Sequence, residues 1–188
     1  PSRQDCFQGP KSFDLKLPTL LTLSIPNTLQ PNSDWLKERL ELSSDQVSTI
    51  IKRFPHVLYY SIKGNMEPTL QWIEDRLLLR NTLELANVVE KSPSLLGFSI
   101  DSNLEPTLDF YIDTLVDADI AIPLLIQYPS IFGASLENRL KPRLKEAKGA
   151  GMTIDSACVI RMAKYTKDQW NRNVETFISK GLKKTLQQ

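Results

Sequence analysis

A pair of prolines recurs four times in this 188-residue chain. The two prolines of each pair are 13 residues apart, and the leading prolines follow one another after 37, 38 and 36 residues. A period between about 20 and 50 residues is typical of stacked supersecondary units, each too small to bury its own apolar face. The chain is therefore predicted to be a repeat protein. The repeat-defining prolines are Pro18, Pro31, Pro55, Pro68, Pro93, Pro106, Pro129 and Pro142.

Other residue types keep fixed positions inside each copy. Apolar pairs stand two and three residues after each leading proline, and one more apolar residue lies two before each closing proline. A serine follows each leading proline by six residues, and we expect it to bond backbone groups at a turn. The single histidine, His56, could not act as the base for all four serines, so they are not expected to be nucleophiles. His56 itself is expected to be packed or surface-exposed. The serines are Ser24, Ser61, Ser99 and Ser135.

Each copy is predicted to contain two helices joined by a 3₁₀ turn. The residue before a proline is pushed out of the helical region, so the first helix ends at the leading proline. The closing proline lies in the first turn of the second helix, where its missing N–H costs nothing. In the third copy, this scheme predicts that the first helix buries Leu83, Ala86 and Val89.

The pattern divides the chain into three segments. Residues 1–16 mix Ser, Gln, Gly and Pro without a period and are predicted to form an extended N-terminal arm. Residues 17–147 contain the four repeats. Residues 148–188 are predicted to form a basic C-terminal helical cap over the open end of the stack, with a capping box at Thr166–Gln169. The hydrophobic content of 41% is enough for a packed core.

The net charge is only +1, but positive and negative residues are unevenly distributed along the chain. Residues 1–138 carry 11 Lys/Arg against 18 Asp/Glu, whereas residues 139–188 carry 12 against 4. A basic end is a candidate surface for a polyanion, with Arg139 and Arg143 on adjacent turns suited to a bidentate grip on phosphate. The same residues could instead dock on an acidic protein patch. The candidate nucleic-acid-binding residues are Arg139, Lys141, Arg143, Lys145, Lys148, Arg161, Lys164, Lys167 and Arg172.

Few features point to catalysis. Cys6 and Cys158 lie far apart and lack metal-ligand spacing, so no zinc site and no disulfide framework is indicated. No paired carboxylates, no phosphate-cradling glycine loop and no cofactor motif stand out, and no apolar run is long enough for a transmembrane segment. We therefore expect a protein without cofactor, metal or enzymatic activity.

The chain begins at Pro1 rather than Met. We interpret it as a processed form or a fragment, from which a targeting peptide would already have been removed.

The repeat resembles that of the mTERF (mitochondrial transcription termination factor) family. The shared pattern is P-x-[LIV]-[LF]-x-x-[SD]-[LI]-x-x-[NR]-L-x-P, and Leu136–Arg143 is similar to the family's last-repeat ending, in which R-[LI]-x-P-R precedes a helix and a glycine turn. The resemblance covers roughly residues 17–180.

This resemblance implies an all-α, left-handed solenoid in which each repeat has two α-helices and a 3₁₀ turn. It also implies a non-catalytic protein of mitochondria or chloroplasts that binds organellar RNA or DNA in a basic concave groove. The expected role is in transcription termination or regulation, RNA processing or ribosome function.

The middle of the chain departs from that expectation. Residues 81–138 carry nine Asp/Glu against Lys91 alone, and a negative groove would repel phosphates. The alternative is a structural subunit of a large organellar complex, such as a ribosome or a photosynthetic or respiratory assembly, that makes mainly protein contacts.

Three aromatic residues share one repeat position, four residues after the closing proline. Trp35, Trp72 and Phe110 could stack on bases, but a recurring position on a helix favours packing in the core.

Overall fold

The computed structural model describes residues 30–185, with side chains described as far as residue 180. The predicted arm at residues 1–16, together with Pro18 and Ser24, lies outside this range. Within it the protein is all-helical. The α-helices are α1 Gln30–Arg39, α2 Ser44–Arg53, α3 Glu67–Arg76, α4 Thr82–Lys91, α5 Glu105–Leu115, α6 Ala118–Gln127, α7 Lys141–Gly149, α8 Ser156–Lys164 and α9 Lys167–Thr185.

One order of elements occurs three times: a helix, a 3₁₀ turn, a π-helical turn and a second helix. We number these repeats 2, 3 and 4, and α1 is the second helix of repeat 1. The 3₁₀ turns are Pro55–Tyr59, Pro93–Gly97 and Pro129–Gly133, and the π turns are Ile62–Met66, Ile100–Leu104 and Leu136–Leu140.

In repeats 2 to 4 a π turn lies directly before the helix that contains the closing proline. The Met66 N–H donates to the Ser61 carbonyl, five residues back, at 3.0 Å, and the same bond forms in repeats 3 and 4. A proline ring would clash with the carbonyl four residues before it in a regular α-helix. Pro68 lies two residues after the π turn, in the first turn of α3, and α3 continues to Arg76.

The repeat serines cap these turns, as expected. Ser61 Oγ accepts the Gly64 N–H at 3.0 Å, Ser99 Oγ accepts Ser102 N–H at 3.3 Å, and Ser135 Oγ accepts Asn138 N–H at 3.2 Å. The sequence prediction is confirmed for these three copies.

The fixed apolar positions of the repeat form the core between the helices. Val57, Leu95 and Ile131, two residues after the leading prolines, are buried, and so are Met66 and the corresponding residues of the next two repeats. The 3₁₀ turns of successive repeats contact one another, which stacks the repeats. The apolar stripe of each repeat is thus covered by its neighbour, as a repeat architecture requires.

A buried polar residue follows each closing proline, and the first of these residues ties repeat 1 to repeat 2. Asn32, Thr69, Thr107 and Arg143 occupy this position, and all four are buried. The amide of Asn32 donates to the carbonyls of Leu58 and Tyr60, both at 2.9 Å, at the 3₁₀ turn of repeat 2. These bonds satisfy backbone groups that the turn leaves without partners.

Each second helix ends in a left-handed residue. These residues are Glu41, Leu78, Val116 and Gly151, with φ angles of 51°, 54°, 61° and 70°. After α3, the Leu79 N–H donates to the Glu74 carbonyl at 3.0 Å, the bond of a Schellman motif. The chain then turns into the first helix of the next repeat.

The first helix of repeat 3 corrects one detail of the sequence prediction. It buries Leu85, Ala86, Val88 and Val89, whereas Leu83, expected in the core, is 70% exposed. Leu83 lies in the first turn of α4, beside the inter-repeat loop, where no neighbouring element covers it in the described part of the chain. Separately, none of the helices in residues 30–185 combines the length and hydrophobicity of a membrane span.

Candidate nucleic-acid interface

The predicted basic residues belong to two neighbouring parts of the C-terminal region. One is α7 with the π turn before it, and the other consists of α8 and the start of α9. We call residues 136–180 the C-terminal unit. Within the unit, α8 contacts α6 and both turns of repeat 4, so that it covers the end of the repeat stack.

Three predicted lysines lie together on the outward face of α7. Lys141, Lys145 and Lys148 are spaced by four and three residues, so they share one side of the helix, and all three are exposed. Lys141 also pairs with Glu137 one turn earlier, in an exposed contact. Leu140, Arg143 and Ala147 occupy the opposite, buried face.

Two predicted arginines hold the carboxyl end of α8. Arg139 Nη1 donates to the Ala163 carbonyl at 3.1 Å. Arg143 Nη1 donates to the carbonyls of Met162 at 2.7 Å and Tyr165 at 2.8 Å. The last carbonyls of a helix lack partners within it and carry its negative dipole end, so both arginines are well placed to stabilise α8.

This geometry revises the paired role expected for Arg139 and Arg143. Arg143 is only 7% exposed, and its guanidinium lies 5.4 Å from the centre of the Trp170 ring. It belongs to the core of the C-terminal unit, so the bidentate phosphate grip of the two arginines is not supported. Arg139 remains exposed as a residue while one of its nitrogens is occupied.

The electrostatics of Arg143 reflect its burial. Desolvation lowers the pKa of its guanidinium, the nearby positive charge of Arg139 lowers the pKa further, and Glu146 opposes both. Glu146 is itself engaged, because its Oε2 accepts the Trp170 indole N–H at 2.6 Å. Since the arginine's direct partners are carbonyls, its positive charge is not cancelled by an ion pair.

Lys164 and Arg161 lie on α8. The Lys164 Nζ is 4.4 Å from the centre of the Tyr128 ring, a cation–π contact at an exposed site. Arg161 is half-buried beside Cys158. Burial raises the pKa of the Cys158 thiol, and the Arg161 guanidinium partly opposes that shift. Arg161 is thus less accessible than Lys164.

Lys167 and Arg172 lie on α9 and are exposed. The expected capping box is present before them: the Thr166 N–H donates to Gln169 Oε1 at 2.9 Å, and the Gln169 N–H donates to Thr166 Oγ1 at 3.2 Å. Lys180, which the sequence prediction left out of the site, is also exposed on α9. Its position in the same basic C-terminal segment could have identified Lys180 as a candidate.

Arg53 of repeat 2 likewise donates to a helix-end carbonyl, that of Lys91 at 2.9 Å, but two other arginines of repeats 1 and 2 bond carboxylates instead. Arg39 of α1 pairs with Glu67 at 3.1 Å and with Glu74 at 2.7 Å, and Arg76 of α3 pairs with Glu105 of α5. Each pair joins the second helices of two successive repeats. We call this series the arginine–glutamate ladder, and in it positive and negative charges cancel.

The aromatic residues considered for base stacking are packed instead. Trp72 is 9% exposed, donates its indole N–H to a Glu105 carboxylate oxygen and meets the Phe132 ring edge-on. Trp35 and Phe110 are half-buried against the core. His56 is exposed between the rings of Phe54 and Tyr59, at centroid distances of 5.6 Å and 5.4 Å. Packing therefore accounts for the shared repeat position.

The described residues offer little for chemistry. They contain no cluster of three or more His, Cys, Asp or Glu arranged to hold a metal ion. The site that remains is a set of exposed cations on a rigid helical scaffold, able to contact phosphates but equipped with no base or nucleophile in an activated geometry.

These features define an all-helical repeat protein with a basic C-terminal end. A family model described as mTERF matches residues 12–171, which is most of the chain. The chain belongs to the mTERF family. At the level of the family, membership suggests a non-catalytic, nucleic-acid-binding regulator of organellar gene expression, and mTERF proteins are generally organellar. No curated protein sequence matches the chain significantly.

Proposed function

We propose that this protein binds the phosphate backbone of organellar RNA or DNA through the exposed cations of its C-terminal unit. The binding is non-catalytic and serves gene expression in a mitochondrion or chloroplast. We call these cations the basic surface. It consists of Arg139, Lys141, Lys145, Lys148, Lys164, Lys167 and Arg172.

The observation that carries the proposal is the lack of charge compensation in this unit. Residues 136–180 carry 10 Lys/Arg against 5 Asp/Glu. Of these acids, Glu146 bonds Trp170, and Asp155 caps α8 by accepting the Cys158 N–H at 2.7 Å. Glu137 is the carboxylate that pairs with a lysine here, and its contact is solvent-exposed. Neutralising phosphates with free Lys/Arg is the main source of nucleic-acid affinity.

The scaffold supports this use of the cations. Arg139 and Arg143 fix α8 against α7 through carbonyl groups, so the two lysine-bearing helices keep a constant relation. The lysines of α7 point away from the core on one face. Fixed cations lose less conformational freedom on binding than cations on a mobile tail.

The test is a titration of the purified chain with a short DNA duplex and with a structured RNA, over a series of salt concentrations. The logarithm of affinity should fall linearly with the logarithm of salt, with a slope of about −0.9 per phosphate neutralised on duplex DNA. Replacing Lys145, Lys148 and Lys167 by Gln should reduce that slope by roughly three phosphate contacts.

A matched control distinguishes local binding from net charge. Lys37, Lys52 and Lys63 are also exposed but lie in repeats 1 and 2. Their replacement by Gln changes the total charge by the same amount and should leave the slope nearly unchanged. Equal losses from both triple variants would contradict binding at the C-terminal unit.

A structural subunit of a large organellar complex remains the second candidate function. The observation that favours it is the acidic charge of residues 81–138, which opposes a phosphate backbone along repeats 3 and 4. Absence of binding to both nucleic acids at low salt would favour this candidate, and the chain should then co-purify with an organellar assembly.

A further inference from the structure

The inter-repeat loops leave large apolar side chains in solvent. Leu78, two residues after α3, is 70% exposed, and Val116, directly after α5, is 88% exposed. Just after these loops, Leu83 at the start of α4 is 70% exposed and Ile120 at the start of α6 is 47% exposed. Scattered exposed leucines are ordinary, but grouped ones mark interaction sites.

Repeat geometry places Leu78 and Val116 on the same side of the molecule. Leu78 and Val116 each follow a closing proline by ten residues, so they are equivalent positions of successive repeats. Neighbouring helices pack about 8–10 Å apart, so equivalent loops of stacked repeats lie side by side. Leu78 and Val116 are therefore neighbours in one row, and Leu83 and Ile120 follow them by five and four residues in the chain. We call these four residues the apolar edge.

Two members of the row are held in an unfavourable backbone conformation. Leu78 and Val116 have φ angles of 54° and 61°, and the same position after α7 is Gly151. The left-handed region is unfavourable for a non-glycine residue, and a β-branched residue such as Val is a clear outlier there. A left-handed residue ends each second helix, Glu41 and Gly151 included, so helix termination fixes this conformation while the Leu78 and Val116 side chains stay exposed.

The charge beside the row is negative. Asp113, Asp117 and Asp119 flank Val116 and are all exposed, with no Lys or Arg between residues 92 and 138. Near Leu78, Arg80 is a counter-charge to Asp75 and Glu84. A nucleic-acid backbone would be repelled by the carboxylates around Val116. A positively charged protein segment would be attracted to them.

We propose that the apolar edge docks a basic amphipathic helix of a partner protein. Apolar side chains of that helix cover Leu78, Leu83, Val116 and Ile120, and its Lys/Arg residues lie against Asp113 and Asp119. Four exposed side chains offer at most a few hundred Å², which suits a peptide-sized contact rather than an extensive interface. This site does not depend on the basic surface or on nucleic acid.

The probe is a synthetic helical peptide of about 18 residues, or five turns, with Leu on one face and Lys on the other. Its control has the same composition with the leucines distributed around the helix. Fluorescence anisotropy with the full chain should give at least about tenfold tighter binding for the amphipathic peptide. Equal binding of both peptides would show that charge attraction alone holds the peptide, and it would overturn the proposal.

Substitutions then locate the contact. The double change Val116→Ser and Ile120→Ser should weaken peptide binding by about tenfold. Ile178→Ser is the matched control, because Ile178 on α9 is exposed to 44%, close to the 47% of Ile120. Loss with Ile178→Ser, or unchanged binding by the double variant, would contradict the assignment.

Two further measurements separate side-chain contact from backbone strain, and a partner protein from a second copy of the chain. Val116→Gly relieves the backbone strain and removes the side chain, so it should fold at least as stably as the native chain and still bind the peptide more weakly. Sedimentation velocity without peptide tests for a second copy as the occupant. Self-association that disappears in the Val116→Ser, Ile120→Ser variant would replace the partner protein with a second copy.

Discussion

The arginines of the ladder bond carboxylates, whereas those of the C-terminal unit bond backbone carbonyls. Arg39 and Arg76 join successive repeats through carboxylates, so each positive charge is neutralised by a negative one. Arg139 and Arg143 join α7 to α8 through backbone carbonyls, and their charges remain. The second arrangement builds a stable helix junction and a positive field at the same time.

The change occurs at two repeat positions. Eight residues after the closing proline, repeats 1 and 2 have Arg39 and Arg76, whereas repeat 3 has Thr114. Immediately before the closing proline, repeats 2 and 3 have glutamates, whereas repeat 4 has Lys141. The ladder therefore stops between repeats 3 and 4, where the basic surface begins.

The largest expected effect of a single change is at Arg143. Arg143→Ala leaves the carbonyls of Met162 and Tyr165 without donors inside the C-terminal unit, so it should lower the free energy of unfolding by about 3 kcal/mol. Urea denaturation measures this. Arg76→Ala, which removes a solvent-exposed ladder pair, should cost less than about 1 kcal/mol. Equal costs at both sites would contradict the contrast drawn between the two regions.

A smaller effect is expected at the left-handed helix ends. Gly151→Val in the C-terminal unit should destabilise the protein by about 1–2 kcal/mol, because valine is strained at a φ of 70°. Val116→Gly in repeat 3 should relieve this strain and stabilise the protein by about 1 kcal/mol. The higher conformational entropy of glycine in the unfolded chain offsets part of that gain. Thermal unfolding of both variants checks the opposite signs, and two changes of the same sign would refute this account of the loops.

The ladder should also produce a pH dependence. Burial alone would raise the pKa of Glu105, but its bonds to Trp72 and Arg76 and the charge of Arg76 lower it overall. Its stabilising contribution is therefore present above the unfolded-state pKa of about 4.3 and is lost as the pH falls through the folded-state value. Urea midpoints measured between about pH 5 and pH 3 should vary less in Glu105→Gln than in the native chain. An unchanged pH dependence would show that Glu105 contributes nothing to it.

The smallest expected change in stability comes from extending the ladder. Thr114→Arg with Lys141→Glu would place the pair found in earlier repeats between repeats 3 and 4. The gain in stability should be about 0.5 kcal/mol, as for other exposed pairs. The same variant removes a cation and adds an anion at the basic surface. The loss in binding free energy for nucleic acid should therefore exceed the gain in the free energy of unfolding. Unchanged affinity would exclude Lys141 from the surface.

Much of the fold could be predicted from the sequence because the repeat shows each position more than once. The turn serines, the apolar pairs and the capping box at Thr166 follow from local rules and agree with the structure. The π turn was not predicted, since a proline in the first turn of a helix is also compatible with an ordinary α-helical start.

The site was harder to predict because sequence spacing does not show which side of a helix is covered. Arg143 was assigned to the surface from its charge alone. A signal was present, since it lies three residues after Leu140 and four before Ala147, on the apolar face of α7. The left-handed conformation of Leu78 and Val116 had no sequence signal, because neither residue type favours it. Leu83 was placed in the core because helical periodicity does not tell whether a neighbour covers the first turn.

If the proposed function is right, nucleic acid contacts the C-terminal unit and not the repeats that carry the ladder. Lysine acetylation followed by mass spectrometry, with and without bound nucleic acid, tests it in one experiment. We predict that Lys145, Lys148, Lys164 and Lys167 become protected while Lys37, Lys52, Lys63 and Lys91 keep their reactivity. Protection centred on the second group, with the first unchanged, would contradict the account.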